Sequence, residues 1–279
     1  MQTPYTIADE TFILPSVFPI PGIGLLYLNA MVIRGAEPVL VDTGAPVFRD
    51  EYLNAAFSLI EPTDVRWIFL SHDDRDHSGN LIQLLDLCPN ARVVTNSVGV
   101  GRMGEEWELP MNRVYFLNDG ESFNAGDRIL TAIRPPYFDS PATRGLWDPT
   151  TRVYYGVDSF GAPVPHACES VTDVPADAYE NGFNWFNRAN HPWHEFTDPA
   201  KIDAQIGRIR ALSPDVIVSY HGPALHSRTE QACDMLSAIS TMDRLELPSQ
   251  QDLEAMMAAP AGNGHGNRDT EVLEPLAAG

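Results

Sequence analysis

Cationic side chains are scarce in this sequence. Eighteen Lys and Arg face thirty-eight Asp and Glu, a formal charge of −20, and Lys201 is the only lysine. Nucleic acids bind proteins through Lys and Arg and repel carboxylates, so the balance argues against a nucleic-acid partner. It argues equally against an anionic membrane surface. A bound cation is compatible, because carboxylates are its natural ligands. Cysteine is rare as well. Cys88, Cys168 and Cys233 are widely spaced, odd in number and form no CxxC pair. They supply no disulfide framework and fit a reducing compartment. No apolar run approaches the roughly 18 residues of a membrane span. The N-terminus, Met1 to Thr6, lacks the basic and apolar regions of a signal peptide. A soluble, cytoplasmic protein is expected.

What is present is an ordinary globular composition, 44 % hydrophobic and 20 % charged, over 279 residues. That is enough chain to bury a sizeable core without a disulfide or structural metal. Strand-like stretches are read at Thr11–Phe18, Leu25–Arg34 and Pro38–Val41, with Gly35-Ala36-Glu37 as a hairpin. A buried-looking run, Trp67 to Leu70, stops abruptly at Ser71-His72. Further strands are read at 91–95, 113–117, 127–133, 152–157 and 216–218. Helical spacing is read at 47–60, 78–87, 175–189, 198–212 and 227–243. Pro135 to Pro149 reads as a loop. Hairpins mixed with strand–helix alternation predict two β-layers flanked by helices. Residues 1–247 are expected to form one domain, and 248–279, with their Ala, Pro and Gly, a disordered tail.

Chemistry concentrates in His72-Asp73-Asp74-Arg75-Asp76-His77. Two imidazoles and three carboxylates fill six positions at the end of an apolar strand, where a stiff scaffold can hold ligands. That donor mixture suits Fe, Mn or Zn better than Ca or Mg. The alternative, a solvated acidic loop with incidental histidines, does not account for both histidines at that point. Asp158 and His221 also follow apolar strands. A turn Asp and a capping His are the structural readings of each taken singly, but together with the cluster they converge on a metal site.

These residues resemble the metallo-β-lactamase superfamily. Its members carry a His-x-His-x-Asp-His motif at a strand end, an Asp-x-Gly turn, a later bridging Asp and a late His before Gly. Here Asp42-Thr43-Gly44, Asp158 and His221-Gly222 match in order. The central motif, His72-x-Asp74-x-Asp76-His77-Ser78-Gly79, has a carboxylate in place of the second His. In that it is similar to the oxygen-binding di-iron branch, the module of flavodiiron proteins. The resemblance implies an αββα sandwich, an α/β (α+β) fold in a single domain. It implies His72 and Asp74 at a first metal position, Asp76, His77 and His221 at a second, and Asp158 bridging them. The family's remaining histidine has no counterpart in Ile133 to Ser140, where Arg134 or a proline stands instead. The first position is therefore expected to be weak, or the centre mononuclear, unless Asp139 supplies a ligand. An anion at Asp74 tilts the metal from Zn towards Fe without settling it.

Three activities follow from the resemblance. The leading one is a non-haem iron oxidoreductase, with one or two Fe ions, that binds or reduces O2 or NO. No flavodoxin domain is read in this sequence, so a separate flavoprotein or iron–sulfur donor would supply electrons; a homodimer is compatible. The alternative is a hydrolase of an ester, thioester or lactone, with Zn (or Mn) activating water and Asp76 as the catalytic residue orienting it. A gas-binding sensor with a degenerate site is the third. Asn190 to Glu195, with His191 and His194, reads as a surface loop, or else as a lining of the metal cleft. Cys168 reads as an inert thiol. Arg75 reads as a partner of carboxylates.

Overall fold

The computed structural model describes residues 3–258. Its strands form two sheets. The first runs in chain order through β1 (Tyr5–Ala8), β2 (Thr11–Ile20), β3 (Gly24–Ile33), β4 (Val39–Val41), β5 (Trp67–Phe69), β6 (Arg92–Thr95) and β7 (Val114–Phe116). Hairpins pair β1 to β4 antiparallel, and crossovers pair β4 to β7 in parallel. The second sheet contains β8 (Ser122–Asn124), β9 (Ile129–Ile133), β10 (Gly145–Asp148), β11 (Val153–Tyr155), β12 (Val216–Val218) and β13 (Leu225–His226), in the order β13-β12-β11-β10-β9-β8.

Strand residues point alternately to opposite faces, so each central strand feeds two cores. Met31, Val41, Phe69 and Val94 meet Leu130, Leu146, Tyr155 and Val218 between the sheets. Their neighbours Val32, Leu40, Ile68 and Val93 turn outward onto Tyr52 of α1 (Arg49–Phe57). Leu81 and Leu84 of α3 (Leu81–Leu87) join them, beyond the single turn α2 (Arg75–Ser78). The short α4 (Ser97–Met103) adds Met103 to the same layer. On the far side Tyr154 and Ile217 pack against Phe183 of α5 (Ala176–Asn190), Ile206 of α6 (Pro199–Leu212) and Leu236 of α7 (Thr229–Ile239). The order is helix, sheet, sheet, helix, the expected αββα sandwich. No helix among the described residues is long and apolar enough to cross a membrane.

Two expectations change. β10 lies inside the stretch read as a Pro- and Asp-rich loop. Its four residues are all buried, so it shows no alternation to betray it. The expected disordered tail begins instead with a helix, α8 (Gln250–Ala258), whose residues are all exposed; the rest of that tail lies outside the described residues.

Two helical glycines make a paired test. A Cβ on Gly182 of α5 would sit 2.1 Å from the Pro163 carbonyl oxygen, whereas one on Gly207 of α6 would meet nothing within 4 Å. Gly to Ala in an open helix stabilises by about 1 kcal/mol. Gly207→Ala is therefore expected to raise the urea midpoint. Gly182→Ala is expected to lower it despite the same gain in helix propensity, because the backbones must part.

Candidate metal centre

Four turns at one end of the sandwich carry the cluster. After β5, fully buried Ser71 and His72 lead into the tight turn of α2. Asp74 occupies the N-cap of that turn, yet its side chain makes no capping bond and is free to face the site. Asp76 and His77 follow within the turn, whose carbonyls are tied by Tyr220 Oη to Asp76 O and by Thr43 Oγ1 to His77 O. Asp158 follows β11, after Val157. That β-branched residue takes a left-handed φ of 57°, a strained conformation that persists only under outside restraint. The restraint is visible: Tyr220 N and Ser219 Oγ both donate to the Val157 carbonyl. His221 follows β12.

Each histidine is oriented by its Nδ1. His77 Nδ1 lies 2.8 Å from Asp42 Oδ2, and His221 Nδ1 lies 3.0 Å from the Tyr27 carbonyl. His72 Nδ1 is 3.0 Å from Ser71 Oγ, which itself donates to Asp42. All three rings thus turn Nε2 inward, the arrangement that fixes tautomer and aim in metal-binding histidines. Asp42 is the hub behind His72 and His77. It is fully buried, tolerates a φ of 57° as Asp can, and accepts from the Ser71 backbone, the Ser71 hydroxyl and the Tyr155 hydroxyl.

Asp158 is 1 % exposed and its two oxygens face opposite ways. Oδ1 lies 3.1 Å from Nε2 of both His77 and His221, and Oδ2 lies 3.6 Å from His72 Nε2. Asp76 Oδ2 completes one set, 3.4 Å from His77 Nε2 and 3.5 Å from His221 Nε2. Asp74 Oδ2 and Asp139 Oδ1 complete the other, each 3.7 Å from His72 Nε2. Two atoms bound to one ion at about 2.1 Å and a tetrahedral angle lie about 3.4 Å apart, so these separations are those of donors around a cation. Four buried atoms at the centre, His72 Nε2, His77 Nε2 and both Asp158 oxygens, have no hydrogen-bond partner. Buried polar atoms left unpaired are costly, and a shared cation satisfies all four. Residues and chemistry fit a pair of metal ions. A cavity of about 450 Å³, lined by Asp74, Asp76, Arg75, Arg102 and Trp107 among others, opens beside them.

All six sequence-predicted ligands, His72, Asp74, Asp76, His77, Asp158 and His221, come together here. Asp76, also read as a catalytic residue, stands among the donor atoms. Asp139, the ligand left open for the first position, lies within donor distance of His72 and Asp74. Arg134 is elsewhere: its backbone N–H donates to Asp119 and its guanidinium lies over Phe138. The stretch 190–195, read as a surface loop or else as a lining of the metal cleft, holds the fully buried His191 and His194. Cys168 is half-buried, with burial raising its thiol pKa. Arg75 pairs with Glu106 and lies over Trp107 rather than joining the metal-facing carboxylates.

Charges at the centre are strongly coupled. Burial depresses His77, but Asp76, Asp158 and Asp42 outweigh it and hold the imidazole well above its usual 6.5. His72 is likewise raised, burial and His77 being outweighed by Asp158, Asp74 and Asp139. Asp158 runs the other way: burial favours its neutral form, yet His72 and His77 keep it well below the carboxylate range. Asp139 is pushed up to about 6 by burial, Asp158 and Asp74, against the pull of His72.

Without metal, the surrounding carboxylates therefore favour the protonated forms of His72 and His77, on the nitrogens a metal needs. Metal uptake at pH 7 is expected to release at least one proton per chain, with affinity rising until both rings are neutral. Calorimetry in buffers of different ionisation enthalpy measures this; no release would mean that the rings are already neutral. The metal-free fold is expected to show the opposite slope. His77's contribution to its stability is complete below pH 6.5 and is lost as pH rises through the raised value. Asp42→Asn removes the carboxylate behind His77 and is expected to weaken metal binding by roughly 10–100-fold, measured by competition with a chromophoric chelator.

A family profile described as ODP family beta lactamase matches residues 27–222. Among curated relatives, diflavin flavoprotein A 3 of Nostoc sp. is 27 % identical over 206 residues, which is 73 % of this chain and 34 % of that one. The chain thus spans about a third of that relative's length. Among solved structures, the rubredoxin oxygen:oxidoreductase of Desulfovibrio gigas superposes with a TM-score of 0.72 at 17 % identity, covering 86 % of this chain and 62 % of that one. A fragment (residues 1–254) of diflavin flavoprotein A 5 of Nostoc sp. gives a TM-score of 0.71 at 18 % identity, covering 86 % of this chain and 98 % of the fragment. These solved structures share the αββα fold. The profile match takes in every residue of the ligand cluster, and the chain belongs to the ODP family of β-lactamase-fold proteins.

Proposed function

We propose that this chain is a non-haem di-iron oxidoreductase that binds O2 or NO at the centre and reduces it with electrons from a separate donor protein. The observation that carries the reading is Asp158, whose two oxygens face two complete donor sets from a fully buried position. The name of the Desulfovibrio neighbour, an oxygen:oxidoreductase served by rubredoxin, supports the same chemistry and a protein donor.

An iron pair held here would supply electrons and open coordination positions to the gas. The chain's own residues do the rest. Asp158 keeps the two positions at a fixed separation. His72 and Asp74, with Asp139, would hold one ion; Asp76, His77 and His221 would hold the other. Asp42 takes up the charge of His77 and fixes its aim through Ser71 and Tyr155. The cavity beside Asp74 and Asp76 admits a small molecule from solvent. Reduction of O2 to water takes four electrons, and two iron(II) ions going to iron(III) supply only two, which is why a donor is required.

Protein loaded anaerobically with iron(II) is expected to hold about two ions per chain and to oxidise once on mixing with O2 or NO. Sustained consumption is expected only with an added reductant. Asp158→Asn is expected to hold no more than one ion and to lose the reaction. A chain that keeps Zn(II), hydrolyses esters or lactones and leaves O2 and NO untouched would replace this reading with the hydrolase one.

A further inference from the structure

Positive charge collects at one place in a chain whose net charge is −20. Ile133, the last residue of β9, pairs with Gly145, the first of β10. Arg134 and Arg144 are therefore the next residues along two paired strand ends, and like charges set opposite each other destabilise a sheet. Arg208 of α6 joins them through Asp119, which accepts from Arg208 Nη1 and Nη2 and from the Arg134 backbone N–H. Among the described residues Asp119 is the one carboxylate ion-paired with any of these arginines, and its pair is Arg208. The guanidiniums of Arg134 and Arg144 have no carboxylate. Three positive charges against one negative leave a surplus of two.

Both guanidiniums are also short of acceptors. Arg144 is 8 % exposed; its Nη1 donates to the carbonyls of Thr143 and Pro141, and its buried Nε has no partner. Arg134 lies over the Phe138 ring, and its buried Nε is without a partner too. Burial first, and then Arg134, push the Arg144 pKa down, against the pull of Asp119. Arginine keeps its proton even so, and a buried charged donor left without an acceptor is costly. Arg134 and Arg208 are part-exposed, so the place opens to solvent.

We propose that Arg134 and Arg144, with Arg208 beside them, bind an oxyanion of two negative charges, either inorganic phosphate or the phosphate group of a phosphomonoester. Guanidinium N–H groups match phosphate oxygens in pairs, and a dianion balances the surplus of two. It supplies the missing acceptors and removes the repulsion between the strand ends. None of the three arginines is among the metal-facing donors, and the site needs neither iron nor any reaction with O2 or NO. It does close the base of the loop 134–144. That loop carries Asp139, which faces His72, and ends at Arg144, whose N–H donates to the Ser71 carbonyl. A bound anion thus ties together the two ends of a segment that reaches the metal centre.

Calorimetry on the full-length, metal-loaded protein in chloride buffer measures the binding of inorganic phosphate and of glycerol phosphate. Wild type is expected to bind, and Arg134→Gln and Arg144→Gln each to weaken binding at least about tenfold. Arg244→Gln, at an exposed arginine paired with Glu246, is expected to leave it unchanged. Hydrogen exchange on wild type decides the matter even if neither variant folds: phosphate is expected to slow amide exchange within 134–144. Equal affinity for the two anions supports the free ion as the ligand, and a preference of at least about tenfold for the ester supports an organic phosphate. Binding of neither anion overturns the proposal. So does binding that Arg134→Gln leaves intact and metal removal abolishes, which would place the phosphate on the metal ions, and so does protection that spares 134–144.

Discussion

Asp158 is a carboxylate almost without solvent, set where three inward-facing imidazoles converge, with His77 and His221 beside one oxygen and His72 beside the other. A buried anion of this kind survives only with counter-charge, and here the counter-charge is His72 and His77, or the metal ions that replace their protons. Much of the surrounding structure serves that requirement. The backbone before Asp158 is strained at Val157 to aim it. The histidines are locked from behind by Asp42, Ser71 and the Tyr27 carbonyl. Asp42 in turn is bound by a tyrosine from the opposite sheet.

The same constraint explains why many of the buried polar groups gather at one end of the sandwich. Asn29, in the middle of β3, donates its side-chain amide to the carbonyls of Ser219 and Gly222 on either side of His221. A strand of the first sheet therefore holds in place a candidate ligand carried by the second. The Asn29 amide nitrogen is satisfied twice over while its Oδ1 has no partner, so the side chain serves positioning rather than packing.

Much of this was legible in the sequence, for identifiable reasons. The run Trp67 to Leu70 is apolar because β5 is central, and its sudden end at Ser71-His72 marks where the chain leaves the core for the site. Asp158 and His221 carried the same signal, a polar ligand type directly after a buried strand. Asp139 was harder. It follows no buried strand, and its position is set by hydrogen bonds from Asn190 and Trp193, more than fifty residues away, which leave no periodicity. The burial of His191 and His194 was hidden in the same way, because Pro192 and the polar neighbours read as surface. β10 escaped because four residues buried on both faces do not alternate. Local pattern reveals strands and their ends, but not what distant elements press against a loop.

The donors come from both layers: His72, Asp74, Asp76 and His77 follow β5 of the first sheet, whereas Asp139, Asp158 and His221 belong to loops of the second. An ion between them is therefore a cross-link between the two halves of the sandwich, and the energy of binding it adds to the energy of keeping the halves closed. Opened chains are the ones that cellular proteases destroy. The amount of this protein a cell maintains should thus follow its supply of transition metal, with scarcity thinning the population of chains before it lowers the output of each.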